Sequence, residues 1–195
     1  GKKSFTSNFP ADFIAEGIDQ TRGWFYTLLA VSTLLGKGRP CKNVVSYSHV
    51  LDEKGKKMSK SLGNTISPND VIEKYGADSA RWYFYAVNDP ADPKLFSLND
   101  VGKKLNGFIT TTLNSLRFFE LYGKTKSKRL RVAPVNQLDY WMLSRLNSLV
   151  QEASKSLDDY NPTTAARAVE KFIVEDLSNW WIRRSRQRFQ RPKNK

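Results

Sequence analysis

A change of hydrophobic period between residues 12 and 51 constrains the fold more than any other feature of this chain. A short apolar run, residues 12–16, ends at Gly17 and predicts a strand. Apolar residues then recur at helical spacing, at Trp24, Leu28, Val31 and Leu35. A second apolar run, residues 43–51, predicts another strand. Strand, helix and strand at this spacing predict a βαβ unit with parallel strands and a right-handed crossover, hence an α/β fold here.

Composition narrows the range of partners without choosing one. The 195 residues carry 32 Lys and Arg against 19 Asp and Glu, a formal net charge of +13, which favours RNA, DNA, a nucleotide or an anionic membrane surface. Cys41 and His49 are the only residues of their kinds, so we expect no disulfide framework and no protein-bound metal. There is no membrane-length apolar run and no signal-peptide pattern, so we expect a cytoplasmic protein without a membrane partner.

The second predicted strand leads into a cationic, hydroxyl-rich loop over residues 52–64. The loop contains lysines, serines and glycines, namely Lys54, Lys56, Lys57, Lys60, Ser59, Ser61, Gly55 and Gly63. Ammonium and hydroxyl groups bind phosphate oxygens, and glycines let the backbone approach an anion closely. The loop is therefore either a polyphosphate site or a solvated charged hairpin, and composition alone favours the hairpin.

The order of residues in the loop changes that balance. Lys57-Met58-Ser59-Lys60-Ser61 resembles the KMSKS signature of class I aminoacyl-tRNA synthetases. The string from Phe9 to Phe25 resembles the isoleucyl members of that family more than the valyl, leucyl or methionyl members. The resemblance implies that the following residues bind ATP or the aminoacyl-adenylate: Glu16, Gly17, Asp19, Gln20, Lys57, Met58, Ser59, Lys60 and Ser61.

Two features beside these segments have plainer interpretations. Residues 16–20 lie where a strand ends and a helix begins, and acidic residues favour such turns and helix N-termini anyway. His49 is a candidate general base, but a strand histidine with a satisfied hydrogen bond is the commoner case. Relatives often carry His-Gly where this chain has Tyr47-Ser48, so the chain departs from the family at the adenine contact of this strand.

A proline-punctuated connection over residues 89–93 is the candidate domain boundary. The resemblance identifies residues 1–96 as the C-terminal part of a Rossmann-like catalytic domain. Within it, Ser67-Pro68 signals a helix that Gly76 interrupts, and the aromatic run at residues 82–85 is expected mostly to pack.

Residues 97–195 are expected to form an antiparallel helical bundle of the anticodon-binding type. Helical apolar patterns run from Val101 to Phe119, from Leu138 to Val150, and onward from an Asn161-Pro162 cap. A basic linker over residues 124–134 separates the first two patterns. Long helices with short connections favour antiparallel packing.

The end of the last predicted helix is strongly basic. Two tryptophans precede seven cations, namely Trp180, Trp181, Arg183, Arg184, Arg186, Arg188, Arg191, Lys193 and Lys195. Cations at a helix C-terminus explain one or two of them, and contact with an RNA backbone explains the rest. The segment resembles the anticodon-binding domain of isoleucyl enzymes, with Gln190 where relatives usually carry tryptophan. We expect Trp180, Arg183, Arg184, Arg186 and Arg188 to contact tRNA.

The resemblance implies ATP-dependent activation of isoleucine and its transfer to tRNA(Ile), with Mg²⁺ accompanying the ATP. This chemistry needs in-line positioning and charge stabilisation rather than a covalent protein nucleophile. Lys60 is the first candidate for stabilising the departing pyrophosphate, with Lys57 beside it.

The chain carries only part of such an enzyme. The His-Ile-Gly-His motif of the N-terminal catalytic half is absent, and there is no room for an editing domain. A non-catalytic RNA-binding module is the main alternative, and another nucleotidyl transferase with a lysine-serine loop is a weaker one.

Overall fold

The computed structural model describes residues 2–123 and 136–191, and the side chains from residue 5 onward. Its contacts divide the chain into two compact units, Gly1–Thr65 with Asn88–Phe96, and Ile66–Val87 with Ser97–Lys195. Residues 66–87 thus group with the helical part, whereas the sequence assigned them to the first domain. The predicted basic linker at 124–134, and the terminal Lys193 and Lys195, lie outside the described residues.

The first unit contains short strands and helices. Its elements are α1 (Lys2–Asn8), β1 (Ala11–Gly17), a 3₁₀ turn (Ile18–Arg22), α2 (Trp24–Leu34), β2 (Cys41–Tyr47), β3 (Val50–Leu51), a second 3₁₀ turn (Lys60–Leu62) and β4 (Lys94–Leu95). Strands β1 and β2 pair in parallel, in a register that runs from Ala11 opposite Cys41 to Gly17 opposite Tyr47. The predicted parallel βαβ unit is confirmed.

The prediction of a single second strand over residues 43–51 is wrong in length, because β2 ends at Tyr47. The backbone N–H of Ser48 donates to the carbonyl of Pro90 at 2.9 Å. Strand β3 then pairs in parallel with β4, where Lys94 lies opposite Val50. The apolar run at residues 43–51 therefore serves two separate sheets.

A buried lysine fixes the connection that brings β4 to β3. Lys94 is 8% exposed, and its ammonium donates to the Asn88 carbonyl at 3.0 Å, to Asn88 Oδ1 at 2.6 Å and to the Asp89 carbonyl at 2.9 Å. Burial lowers the pKa of Lys94, and the three acceptors satisfy all three of its donors. The lysine thereby organises residues 88–93 from within.

The second unit is helical. Its elements are α3 (Pro68–Tyr75), α4 (Ala77–Ala86), α5 (Leu98–Lys104), a π-helical turn (Leu105–Ile109), α6 (Thr110–Tyr122), α7 (Gln137–Asp158), α8 (Pro162–Lys171), a π-helical segment (Phe172–Ile182) and α9 (Arg183–Gln190). The predicted caps are confirmed, because Ser67 accepts from Asn69 N and Asn161 accepts from Thr164 N. Helix α7 packs on α8 after a tight turn, so these helices run antiparallel.

The core of the helical unit contains part of the aromatic run of α4. Tyr83 is only 2% exposed, and Trp82 stacks on Phe108 with ring centroids 4.2 Å apart. Tyr85 remains 48% exposed. Packing is thus confirmed for the first two aromatic residues of the run and not for Tyr85.

Candidate nucleotide and RNA sites

The loop at residues 52–64 begins as a tight hairpin. Leu51 forms an antiparallel bridge with Lys57, and Asp52 N donates to the Lys56 carbonyl at 2.9 Å. Gly55 turns the chain with a φ of 76°, in the region that favours glycine. Since β3 leads into this hairpin and β4 pairs with β3, the base of the loop rests on regular structure.

The signature begins at Lys57, the last residue of that hairpin, and continues beyond it to Ser61. Lys57 and Lys60 are exposed, and neither forms an ion pair with any residue in the described part of the chain. Ser59 and Ser61 bring their hydroxyl oxygens within 3.2 Å of each other, and Met58 is half-buried. The loop therefore presents two unpaired ammonium groups and two neighbouring hydroxyls to solvent, which suits a phosphate chain.

Asp52 and Asn64 hold the two ends of the loop together. Asn64 Nδ2 donates to Asp52 Oδ2 at 2.9 Å and approaches the Lys57 carbonyl at 3.3 Å, while Asn64 Oδ1 accepts from Ser59 N at 2.9 Å. Asp52 Oδ1 accepts from the backbone N–H groups of Lys54 and Lys56 at 2.9 and 2.8 Å. The hydrogen bond from Asn64, followed by that from Lys56 N, lowers the pKa of Asp52. Sequence reasoning gave neither side chain a role.

The polar residues at the end of β1 and in the 3₁₀ turn after it form a cluster of two hydrogen-bonded pairs at the carboxyl end of the parallel strands. Tyr47, at the end of β2, donates through its hydroxyl to Glu16 Oε2 at 3.1 Å. This hydrogen bond is the main cause of the raised pKa of Tyr47. Gln20 Nε2 donates to Asp19 Oδ2 at 3.1 Å, and Gln20 Oε1 accepts from Trp24 N at 2.9 Å. The Gln20 side chain therefore also satisfies the first backbone N–H of α2.

A side chain at Gly17 would meet the exposed carboxylate of Asp19. A Cβ built there would lie 2.7 Å from Asp19 Oδ1, so any side chain would displace that carboxylate. The backbone at Gly17 is extended, with a φ of −63°, which any residue can adopt. Glu16, Gly17, Asp19 and Gln20 are thus brought together, and Tyr47 joins them as a residue not predicted for the site.

His49 takes no part in that cluster. It lies between β2 and β3, is exposed, and its ring makes no hydrogen bond within residues 2–123 and 136–191. Its carbonyl accepts from Lys94 N at 3.0 Å. Its structural contribution is therefore through its backbone.

The basic end of the bundle divides its arginines into two kinds. Arg184 lies over the ring of Trp180, 3.9 Å from the centroid, and Trp180 is 44% exposed. Arg183 and Arg186 are exposed and have no ion pair among the described residues. These three cations are available to a polyanion.

Arg188 is committed to the bundle itself. Its guanidinium donates to both oxygens of Asp139 on α7, at 2.8 and 2.7 Å, and to Ser185 Oγ at 2.7 Å. Trp181 Nε1 also donates to Asp139 Oδ1, at 2.9 Å. The arginine, followed by the tryptophan, lowers the pKa of Asp139, and the same pairing raises that of Arg188. Nothing in the sequence pattern separated Arg188 from its neighbours.

Two kinds of feature are absent from the described residues. Across residues 2–123 and 136–191, no helix has the length and apolarity needed to cross a membrane. In the same residues, no group of three or more His, Cys, Asp or Glu side chains is arranged to hold a metal ion.

Two protein families match separate parts of the chain. The family described as tRNA synthetases class I (I, L, M and V) matches residues 1–95, and the anticodon-binding domain of tRNA ligase matches residues 139–195. The first match contains both predicted nucleotide segments, and the second contains α9.

Individual relatives extend this similarity over nearly the whole chain. The isoleucine–tRNA ligase of Dehalococcoides mccartyi (strain CBDB1) is 49% identical over 191 residues, which are 95% of this chain and 19% of the relative. That of Deinococcus radiodurans is 44% identical over 193 residues, 97% of this chain and 18% of the relative. The chain thus spans about a fifth of the length of the curated relatives that it matches.

A solved structure supports the fold independently. The methionyl-tRNA synthetase of Mycobacterium tuberculosis, bound by methionyl-adenylate, superposes with a TM-score of 0.77 over 98% of this chain and 37% of its own. At 20% sequence identity the likeness concerns the fold alone. It agrees with the predicted order of a Rossmann-like part followed by a helical part.

Proposed function

Because the chain belongs to the class I aminoacyl-tRNA synthetase family, we propose that it supplies part of an isoleucine–tRNA ligase. The complete reaction joins isoleucine to ATP, giving isoleucyl-adenylate and pyrophosphate, and then transfers the isoleucyl group to tRNA(Ile). One observation carries the proposal: a loop with two unpaired lysines stands on a parallel α/β scaffold, in a chain 49% identical to an isoleucine–tRNA ligase.

The loop would act on the phosphates of ATP. In adenylate formation a carboxylate oxygen of isoleucine bonds to the α-phosphorus, and the bond from that phosphorus to the pyrophosphate oxygen breaks. Negative charge grows on the departing pyrophosphate, so preorganised cations accelerate the step. The exposed ammonium groups of Lys57 and Lys60 fit this role, and Ser59 and Ser61 offer hydroxyl donors. Met58 would contribute packing within the loop.

The cluster after β1 would bind the adenylate. It lies at the carboxyl end of parallel strands, which is where open α/β sheets bind their ligands. The Glu16 and Asp19 carboxylates accept hydrogen bonds, and Gln20 offers an amide that α2 holds in one orientation. At Gly17 no side chain stands between the backbone and a ligand. Mg²⁺ enters this proposal as a companion of the ATP phosphates, hence as part of the substrate.

The exposed cations of α9, with Trp180 from the preceding π-helical segment, would contact tRNA. Arg183, Arg184 and Arg186 can reach phosphates, and Trp180 presents an aromatic face beside Arg184. Arg188 already commits its paired donors to Asp139, so we expect its effect on RNA binding to be indirect. The N-terminal catalytic half and the editing domain would lie in parts of the protein outside this chain.

The first experiment is isoleucine-dependent ATP–pyrophosphate exchange in the complete protein that contains this chain, with Lys60→Ala and Lys54→Ala compared. Both lysines are exposed in the same loop, but only Lys60 belongs to the signature. We expect exchange to need isoleucine and to fall on the order of 100-fold in Lys60→Ala, as for other preorganised charge contacts, and little in Lys54→Ala.

The non-catalytic alternative gives a different result in the same assay. A module that only binds RNA would show no exchange with isoleucine, while binding tRNA in a salt-sensitive way. Exchange that depends on valine or leucine instead of isoleucine would contradict the proposed substrate and leave the reaction class standing.

A further inference from the structure

Asp52 and Asn64 lie at the two ends of residues 52–64, the signature loop, and their side chains can determine the shape of that whole loop. Asn64 follows the signature and Asp52 precedes it, so the 2.9 Å hydrogen bond between their side chains closes the loop at its base. The same amide bonds Ser59 N at 2.9 Å, in the middle of the signature. One side chain therefore links the start, the middle and the end of the loop.

The second oxygen of Asp52 shapes the approach to Lys57. It accepts from Lys54 N and Lys56 N, and the Asp52 carbonyl accepts from Gly55 N at 3.0 Å. These bonds define the hairpin whose last residue bridges to Leu51. Asp52 thus uses both carboxylate oxygens on the loop, and these bonds favour its charged form and lower its pKa.

The exposed lysines have no comparable restraint of their own. Lys57 and Lys60 form no ion pair with a described residue, so the backbone path alone determines where their side chains begin. A loop that is ordered before ATP arrives loses less conformational entropy when it binds. A fixed backbone also holds cations where charge will develop.

Resting on the function proposed above, we propose that Asp52 and Asn64 are positioning residues that act together as a clamp on the signature loop. Neither side chain touches the reacting atoms in this role. Their hydrogen bond sets the backbone from which Lys57, Ser59 and Lys60 reach the phosphates of ATP.

Exchanging the two residue types, singly and together, tests the clamp directly. In Asp52→Asn the new amide cannot serve both Asn64 and the two backbone donors, and in Asn64→Asp two carboxylates face each other. In the double variant the amide at position 52 donates to the carboxylate at position 64, and each side chain keeps an oxygen for its backbone donors. Only the 3.3 Å bond from position 64 to the Lys57 carbonyl is lost. If the double variant restores the order of the loop, the two side chains are bonded directly. Glu53→Gln, an exposed acidic neighbour in the same turn, is the matched control.

The first readout needs no catalytic activity. Trypsin cleavage after Lys57 and Lys60 in the native chain reports how often the loop opens. We expect each single variant to be cleaved about 10-fold faster, the double variant to return towards the unaltered rate, and Glu53→Gln to show no change. Urea unfolding of each variant separates loop opening from global instability.

The second readout is ATP–pyrophosphate exchange in the complete protein. We expect the single variants to lower kcat, with the KM for isoleucine unchanged, and the double variant to recover most of the loss. Equal cleavage in all variants, or a double variant as impaired as the two singles combined, overturns the clamp. If the unaltered protein shows no exchange, the proposed function is overturned instead. The trypsin result would still show whether Asp52 and Asn64 act as a clamp. If Asn64→Asp does not fold, Asn64→Ser removes the amide without adding charge.

Discussion

Arg188 and Arg186 are neighbours on one helix, yet the structure gives them different partners. Arg188 makes a two-pronged bond to Asp139 across the bundle, and Asp139 is 20% exposed at its side chain. Arg186 points to solvent and has no ion pair with a described residue. Two equal charges in the sequence therefore separate into a structural contact and a free cation.

The first prediction concerns the stability contributed by that contact. Arg188→Ala should lower the free energy of unfolding by about 1–2 kcal/mol, because it removes charge-assisted hydrogen bonds and leaves Asp139 without its main partner. Arg186→Ala should change it by less than about 0.5 kcal/mol. Urea unfolding of both variants measures the difference, and equal losses would contradict the assignment.

The second prediction follows the charge of Asp139 with pH. Its pKa is lower in the folded chain, so the stabilisation is present above about pH 4, where the unfolded carboxyl is ionised, and is lost as pH falls through the folded pKa. The gap in unfolding free energy between the unaltered chain and Asp139→Asn should stay constant from pH 7 to about pH 5 and narrow below about pH 4. Urea unfolding across that range measures it. A gap that persists undiminished at about pH 3 would show that the charge is not what stabilises.

At the scale of elements, local sequence patterns were sufficient to predict a helix, a cap or a strand pair whose contacts lie close in the chain. The helix spacing from Trp24 to Leu35 and the Asn161-Pro162 cap each predicted an element that the structure contains. The parallel pairing of β1 and β2 also followed, because one helix of short length connects them.

Long-range pairing is what the sequence pattern could not supply. The run at residues 43–51 looks like one strand, but Ser48 bonds Pro90 and β3 pairs with β4, far along the chain. Nothing periodic marks the two residues of β4. The Asp52–Asn64 bond was also hidden, although an Asx residue on each side of a glycine-rich loop is a signal of local side-chain-to-backbone bonding.

The third prediction concerns the contact between α3 and α5 at Gly102. Alanine usually stabilises a helix interior relative to glycine by about 0.5–1 kcal/mol. Here a Cβ would lie 2.9 Å from Cε1 of Tyr75, and the residue is buried, so overpacking of about 1–3 kcal/mol should prevail. Gly102→Ala should therefore lower the urea midpoint.

Gly107 offers the matched control for that substitution. It lies in the adjoining π-helical turn, and a Cβ there would meet nothing within 4 Å. Gly107→Ala should leave the free energy of unfolding unchanged or raise it by up to about 1 kcal/mol, so the urea midpoint should stay the same or rise. A higher midpoint in Gly102→Ala would mean that Tyr75 moves aside at no cost.

At the scale of the whole molecule, the excess of 32 cations over 19 anions attracts any polyanion, so tRNA affinity by itself does not locate a site. The slope of log Kd against log salt is more informative, because each phosphate neutralised by a cation contributes about one unit to it. Arg183 and Arg186, if each contacts one phosphate, contribute up to about two units together.

The fourth prediction uses that slope to separate contact from general attraction. Arg183→Gln with Arg186→Gln should reduce the slope for tRNA(Ile) by up to about two units. Arg81→Gln with Lys103→Gln removes the same charge from cations that already pair with Asp78 and Asp100 at 3.6 and 2.6 Å, and should reduce it far less. Binding titrations from about 50 to 200 mM salt measure both slopes. An equal reduction in the two pairs would mean that tRNA senses the net charge of the chain and not the basic face of α9.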